Sequence, residues 1–139
     1  MWRGLLLILV LSGCASLQTQ FEDIQAKRLD PVPGKSVIYV IREIRDNTSH
    51  PTVVMLDGNS ESLTYPGTFV RWEVAPGPHL VTGFGGDAGK LQLDAMPGKF
   101  YFIRQTVSLV ERMPQSHFNS VNEEDARPAV ERSKRVATS

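Results

Sequence analysis

Cysteine is almost missing from this chain: of 139 residues, only position 14 carries a thiol. A single thiol excludes a disulfide within the chain and any cysteine-based zinc site. Without a disulfide, a domain of this size must be held by its core. An excess of one charge is missing too, since Lys+Arg and Asp+Glu each total 15. A nucleic-acid binder would show a basic domain or stripe. The short run Glu131-Arg132-Ser133-Lys134-Arg135 reads instead as a solvated helix end. Only three histidines occur, His50, His79 and His117. No two have the spacing of metal ligands on a helix or strand, so no metal is expected. No Gly-x-Ser-x-Gly elbow is present to hold a serine nucleophile. No apolar run approaches the ~20 residues that cross a bilayer as a helix.

The apolar run that does occur, Gly4 to Leu11, follows Met1-Trp2-Arg3 and precedes Ser12-Gly13-Cys14-Ala15. A charged start, a short apolar stretch and small residues make up an export signal. Leu11-Ser12-Gly13-Cys14 also resembles the lipobox of bacterial lipoproteins: an aliphatic residue, two small residues and a cysteine. The thiol is the nucleophile that takes a diacylglyceryl group as a thioether. Residues 1–13 are therefore expected to be a signal peptide, with Cys14 the lipidated first residue of the mature chain. Their removal costs only Arg3 among the charged residues, leaving net −1. One acyl chain binds a bilayer marginally, whereas two or three anchor it stably. Ala15 stands where, by resemblance to sorting rules of two-membraned bacteria, an aspartate would retain the protein in the inner membrane. The expected location is the outer membrane, facing the periplasm.

Residues 14–34 read as the lipidated cysteine and a tether. Leu17, Phe21, Ile24 and Leu29 recur at near-helical spacing, which allows a short amphipathic helix over 17–28. A flexible spacer is the favoured reading. Asp30-Pro31-Val32-Pro33-Gly34 would end any helix, so the folded domain is expected to start at Lys35.

From Ser36 the sequence alternates β-type segments with turns. Ser36 to Glu43 is β-branched, aromatic and mostly apolar on both faces, which suits a central strand. Residues 52–56 lead into Asp57-Gly58, a hairpin signal, with a return strand over 61–65. In 68–74, Val70, Trp72 and Val74 alternate with Arg71 and Glu73. Segments 79–84, 90–94 and 99–107 complete about seven strands. Pro-Gly at 33–34, 66–67, 76–77 and 97–98 precedes a strand each time, as type II turns would. The fold class expected is all-β, an antiparallel β-sandwich over residues 35–121. Residues 122–139 should form a C-terminal helix and tail. Asn122 caps Glu123, Glu124 and Asp125, the helix runs over 123–135 with Pro128 as a kink or second start, and 136–139 fray.

Several of these segments resemble an uncharacterised family of small bacterial lipoproteins with a β-sandwich domain of unknown function. The resemblance covers roughly residues 35–125. It rests on Ile38-Tyr39-Val40-Ile41-Arg42, Asp57-Gly58, residues 72–79 with their Pro-Gly-x-His, and Pro97-Gly98-Lys99-Phe100-Tyr101-Phe102. It implies a sandwich at the cell envelope and no established catalytic residue.

Other candidate chemistry fares poorly. Gly83, Gly85 and Ala88 fit G-x-G-x-x-A, but that motif must open a helix to hold pyrophosphate, and Lys90 to Asp94 alternates as a strand. A Walker loop fails as well, because Leu91 follows Lys90. No nucleotide or other cofactor is expected. Arg42, at the end of an apolar strand, reads as one half of a structural ion pair with Glu43, Glu73 or the domain edge, ahead of a ligand contact. Tyr39, Trp72 and Tyr101 are candidates for a binding surface, with the core as their alternative place. The leading expectation is a noncatalytic envelope protein, membrane-bound through lipid on Cys14, that binds a protein or other envelope component. An envelope enzyme, or an accessory subunit of one, is the alternative.

Overall fold

The computed structural model describes the backbone from Gly13 to Ser139 and side chains from Leu17 onward. Residues 1–12, most of the expected signal peptide with Leu11 and Ser12 of the expected lipobox, lie outside the described residues, as does the side chain of Cys14. In chain order the elements are α1 (Gly13–Lys27), β1 (Ser36–Arg42), β2 (Thr52–Leu56), β3 (Ser60–Thr64), β4 (Thr68–Val74) and β5 (Gly77–Gly83). There follow β6 (Lys90–Ala95), β7 (Phe100–Val110), β8 (Met113–Val121), α2 (Glu123–Arg132) and β9 (Lys134–Arg135).

Two sheets pack face to face, one of five strands in the order β8-β7-β1-β4-β9 and one of four in the order β3-β2-β5-β6. The mostly-β sandwich and its C-terminal helix agree with the sequence reading. Two finer points differ. Nine strands form among the described residues where about seven were expected, and the larger sheet is mixed: β1 pairs in parallel with β7, and β4 with β9. Parallel neighbours are joined through the other sheet, so no local turn signal announces them.

β1 explains the layering. Every one of its seven residues is buried. Ile38 and Val40 point into the sandwich, where they meet Val54, Leu56, Val70, Trp72, Val81, Ile103 and Phe118. Val37, Tyr39 and Ile41 point the other way, toward Phe69, Phe102, Ala26, Leu29, Ala126, Ala129 and Val130. Helices therefore cover the outer face of the larger sheet and make a third layer. A strand covered on both faces reads as a continuous apolar run.

The turns follow local chemistry. Asp57 and Gly58 both have positive φ, 53° and 70°, and Asn59 N donates to Leu56 O, as a type I′ turn requires. Asn122 Oδ1 accepts from Asp125 N at 2.8 Å, capping α2. Helix α2 stops at Arg132, not at 135, because Lys134 and Arg135 join β4 as a short strand.

Two expectations about the chain's outer parts are corrected. Residues 14–34 are not a flexible spacer. They hold α1, and Ala26 and Leu29 are buried in the outer core, so packed structure begins well before Lys35. Leu29 adopts φ 55° to let its side chain turn inward, and burial of that side chain offsets the backbone cost. The last residues do not fray. Val136 N donates to Phe69 O, and Ser139 N donates to Glu61 O. Ser62 Oγ donates to Ala137 O at 2.6 Å, so the tail shields the edge of β3.

Candidate functional site

Arg42 is the most buried charge in the described chain, with a side chain 0 % exposed beside an Asp46 carboxylate at 2 %. Strand parity turns it into the sandwich, where a free guanidinium would be very costly. Every arm of the fork is used. Nε donates to Asp46 Oδ2 at 2.6 Å, Nη1 to His50 O at 2.8 Å and Thr64 O at 3.0 Å, and Nη2 to Thr48 O at 2.6 Å. Asp46 in turn accepts from Val107 N at 3.0 Å. One cation thus ties the loop over 43–51 to β3 and β7. The ion-pair reading of Arg42 holds, but the partner is Asp46; Glu43 faces Arg104 and Glu73 faces Arg71. Nothing in the sequence marks Asp46 among other loop carboxylates. Next to this knot, Thr64 Oγ1 and Gln105 Oε1 are 2.9 Å apart, and Gln105 Nε2 donates to Ser116 Oγ at 2.9 Å. These side chains satisfy one another, which leaves them nothing to offer a ligand.

The aromatic candidates do not share a surface. Tyr39 is buried under the helices, stacked on Phe102 at 5.3 Å between centroids, with Phe69 and Phe100 close by. Its hydroxyl donates to Ala26 O at 2.6 Å and accepts from Arg71 Nε at 3.2 Å. Burial pushes the phenol above its usual range, against the pull of Arg71. Trp72 lies on the opposite face of the sheet, in the sandwich core, and its Nε1 donates to Ser60 Oγ at 2.9 Å. Tyr101 is half-buried, and its hydroxyl closes the β6–β7 turn by accepting from Met96 N at 2.8 Å. Tyr39 and Trp72 are core residues, and Tyr101 is a turn clamp.

The histidines stand apart, and no group of three or more His, Cys, Asp or Glu among the described residues could hold a metal ion. His79 Nδ1 faces Asp57 Oδ2 and Nε2 faces Ala75 O, both at 2.6 Å. Two acceptors need two donors, so the geometry favours the imidazolium. Partial burial works against that charge, but the hydrogen bonds His79 donates to Asp57 and to the Ala75 carbonyl outweigh it and raise the pKa. Asp57 moves the other way: burial disfavours its charge, while His79 and Leu80 N hold the carboxyl below its usual range. This pair pins the β2–β3 turn to β5. The glycine-rich loop after β5 also has a packing role. A Cβ on Gly85 would stand 2.6 Å from Ser116 O, and Gly85 has φ 134°. The loop lies against β8 with no helix after it, which is how a tight connection uses glycine.

Open depressions among the described residues offer no better site. One of about 280 Å³ lies where β8 leaves β7, lined by Leu93, Phe100, Tyr101 and Val121 among others; one of about 470 Å³ is lined by Glu43, Ile44, Arg45, Ala129, Arg132 and Ser133. Neither gathers converging polar groups around an enclosed apolar space, as small-molecule sites do.

The remaining candidate is the start of the described chain. Cys14 is the second residue of α1, and the C-terminal half of that helix is clamped to the sandwich. Besides Ala26, Asp23 Oδ1 accepts from Arg135 N at 2.8 Å, and Glu22 pairs with Arg135 Nη1 at 3.4 Å. No helix of the described residues is long and apolar enough to cross a membrane. Comparison with family models, with curated proteins and with solved structures gives no match to this chain.

Proposed function

We propose that the chain is a lipid-anchored, noncatalytic β-sandwich protein of the bacterial envelope, attached through Cys14, that binds a protein or other envelope component. The observation that carries this reading is Leu11-Ser12-Gly13-Cys14 closing the apolar run that starts at Gly4. The fold is compatible with it. A compact domain follows the cysteine, and Arg42, weighed as a ligand contact, is spent on internal hydrogen bonds. Outer-membrane delivery, facing the periplasm, follows from Ala15. The resemblance to small envelope lipoproteins of unknown function points the same way.

The test is substitution of the thiol. Cys14→Ser should abolish incorporation of labelled palmitate in a bacterial host and leave unprocessed precursor. Undiminished labelling would refute the anchor. Crosslinking in whole cells, with the membrane-bound wild type against an unrelated lipoprotein, tests the binding half. A partner recovered reproducibly and only with this chain supports it, and a chain that crosslinks to nothing counts against it.

A further inference from the structure

Helix α1 has two unlike faces. Leu17, Phe21 and Ile24 are 66 %, 59 % and 54 % exposed, although each is a large apolar side chain. At 3.6 residues per turn these three positions and Cys14 fall within an arc of about 80°. The clamped positions Glu22, Asp23 and Ala26 lie roughly 120–160° around the helix from the middle of that stripe. The C-terminal half of the helix is therefore gripped by the sandwich, residues 17–22 are exposed all round, and the apolar stripe, with Cys14 in register, runs along the side away from the clamp. Arg28, exposed just beyond the helix, continues the same line.

The geometry points to the bilayer surface as the occupant of this stripe: α1 lies in the membrane interface as a rigid spacer between acyl anchor and sandwich. The inference rests on lipidation of Cys14 and goes further, because it gives the domain a fixed stance on the membrane. Two features single out lipid as the occupant. The stripe begins three residues after the proposed acylated position, so acyl chains entering a bilayer carry it to the interface. A cation, Arg28, also stands at the end of the stripe, where it can meet anionic lipid. Since the C-terminal end of α1 sits on the outer side of the five-stranded sheet, against β9 and Tyr39, the four-stranded sheet is turned away from the membrane. That outer surface, with Lys90, Gln92 and Asp94 of β6, then faces the compartment.

Depth quenching tests this on lipidated protein made from the full chain. An environment-sensitive fluorophore is placed by Phe21→Cys, Ile24→Cys or Gln92→Cys, and each protein is reconstituted in phosphatidylethanolamine–phosphatidylglycerol vesicles with doxyl-labelled phospholipid. Positions 21 and 24 should lose about twofold or more in fluorescence while position 92 is unaffected, since an interfacial helix sinks its apolar face to the acyl boundary. Adding Phe21→Asp, an exposed substitution that spares the core, should abolish quenching at 24 without releasing the protein. Quenching at 24 that survives Phe21→Asp overturns the inference. So does protein with a blocked, acylated Cys14 whose positions 21 and 24 behave like 92; anchoring then stands. A Cys14 thiol that still reacts with maleimide sinks the anchor reading, and the stripe's placement with it. Shielding of position 21 by self-association in the same vesicles assigns the stripe to a second copy and also refutes it.

Discussion

Removing Asp46 tests the claim that a fully buried arginine holds one end of the sandwich. Asp46→Ala leaves the Arg42 guanidinium without a counter-charge and leaves Val107 N without its acceptor. Breaking a buried ion pair from one side costs about 3–5 kcal/mol, because the surviving charge stays uncompensated. Domains of this size are stable by only about 5–15 kcal/mol, so the variant should lose a large share of its stability. The measurement is urea unfolding followed by tryptophan fluorescence, since Trp72 sits in the core. A second variant sharpens the expectation. For a simple buried pair, replacing both members with apolar residues is close to neutral. Here Arg42 also donates to the carbonyls of Thr48, His50 and Thr64. Arg42→Met with Asp46→Leu therefore leaves these acceptors unpaired, at about 1–3 kcal/mol for each one that water cannot reach. The double variant should stay destabilised, and amides of the loop over 43–51 should exchange faster. An Asp46→Ala protein within about 1 kcal/mol of wild type would refute the argument. So would a double variant as stable as wild type.

Tyr39→Phe removes the hydroxyl that α1 leans on. It should cost about 1–2 kcal/mol and raise hydrogen exchange in α1 well above that in β1; equal exchange in both would contradict the clamp. The Asp57–His79 pair should give stability a bounded pH window. The raised His79 contributes fully below the ordinary imidazole pKa, and that contribution is lost as pH rises through its folded value. The lowered Asp57 contributes above the ordinary carboxylate pKa and loses it as pH falls through its folded value. His79→Phe should flatten the alkaline side of the melting-temperature profile, and an unchanged profile would argue against the imidazolium. Glu111 and Arg112 close the β7–β8 hairpin with φ of 50° and 67°, the left-handed region that side chains resist. Asn-Gly at these positions should stabilise the protein by about 1–2 kcal/mol in thermal unfolding, because that pair suits a type I′ turn.

Much of this molecule is local in origin and legible in the sequence. Asp57-Gly58, the Pro-Gly turns at 33–34, 66–67 and 97–98, the Asn122 cap and the alternation of Val70, Trp72 and Val74 depend on neighbours in the chain, so they appear where they are read; Pro76-Gly77 is the exception, since Gly77 already pairs with Ala95 in β5. β8 escaped because its alternation is hidden: the inward residues are Ser116 and Phe118, and a buried serine reads as a turn residue. Only Gln105, from another strand, makes that serine acceptable. Pro114 also argues against a central strand, and β8 is an edge, where proline is allowed. The two-residue β9 and the parallel pairings have no local signature. Among site candidates, residue type alone could not separate Tyr39 and Trp72 as core from a binding face, since both fates need an aromatic ring.

The apolar run, the Leu11-Ser12-Gly13-Cys14 box, the strand segments and the turns were set by the sequence alone, because short-range sterics and peptide-scale recognition decide them. Tertiary structure decided the partner of Arg42, the parallel neighbours of β1 and the ordering of the last residues. It also decided that the C-terminal half of α1 is gripped on one face while its apolar stripe stays bare. Each of these depends on groups far apart in the chain meeting in a low-dielectric interior, where an unpaired polar atom is costly and an apolar face needs a cover. Sequence spacing proposed the stripe of Leu17, Phe21 and Ile24; only the packed fold showed which side of α1 stays uncovered.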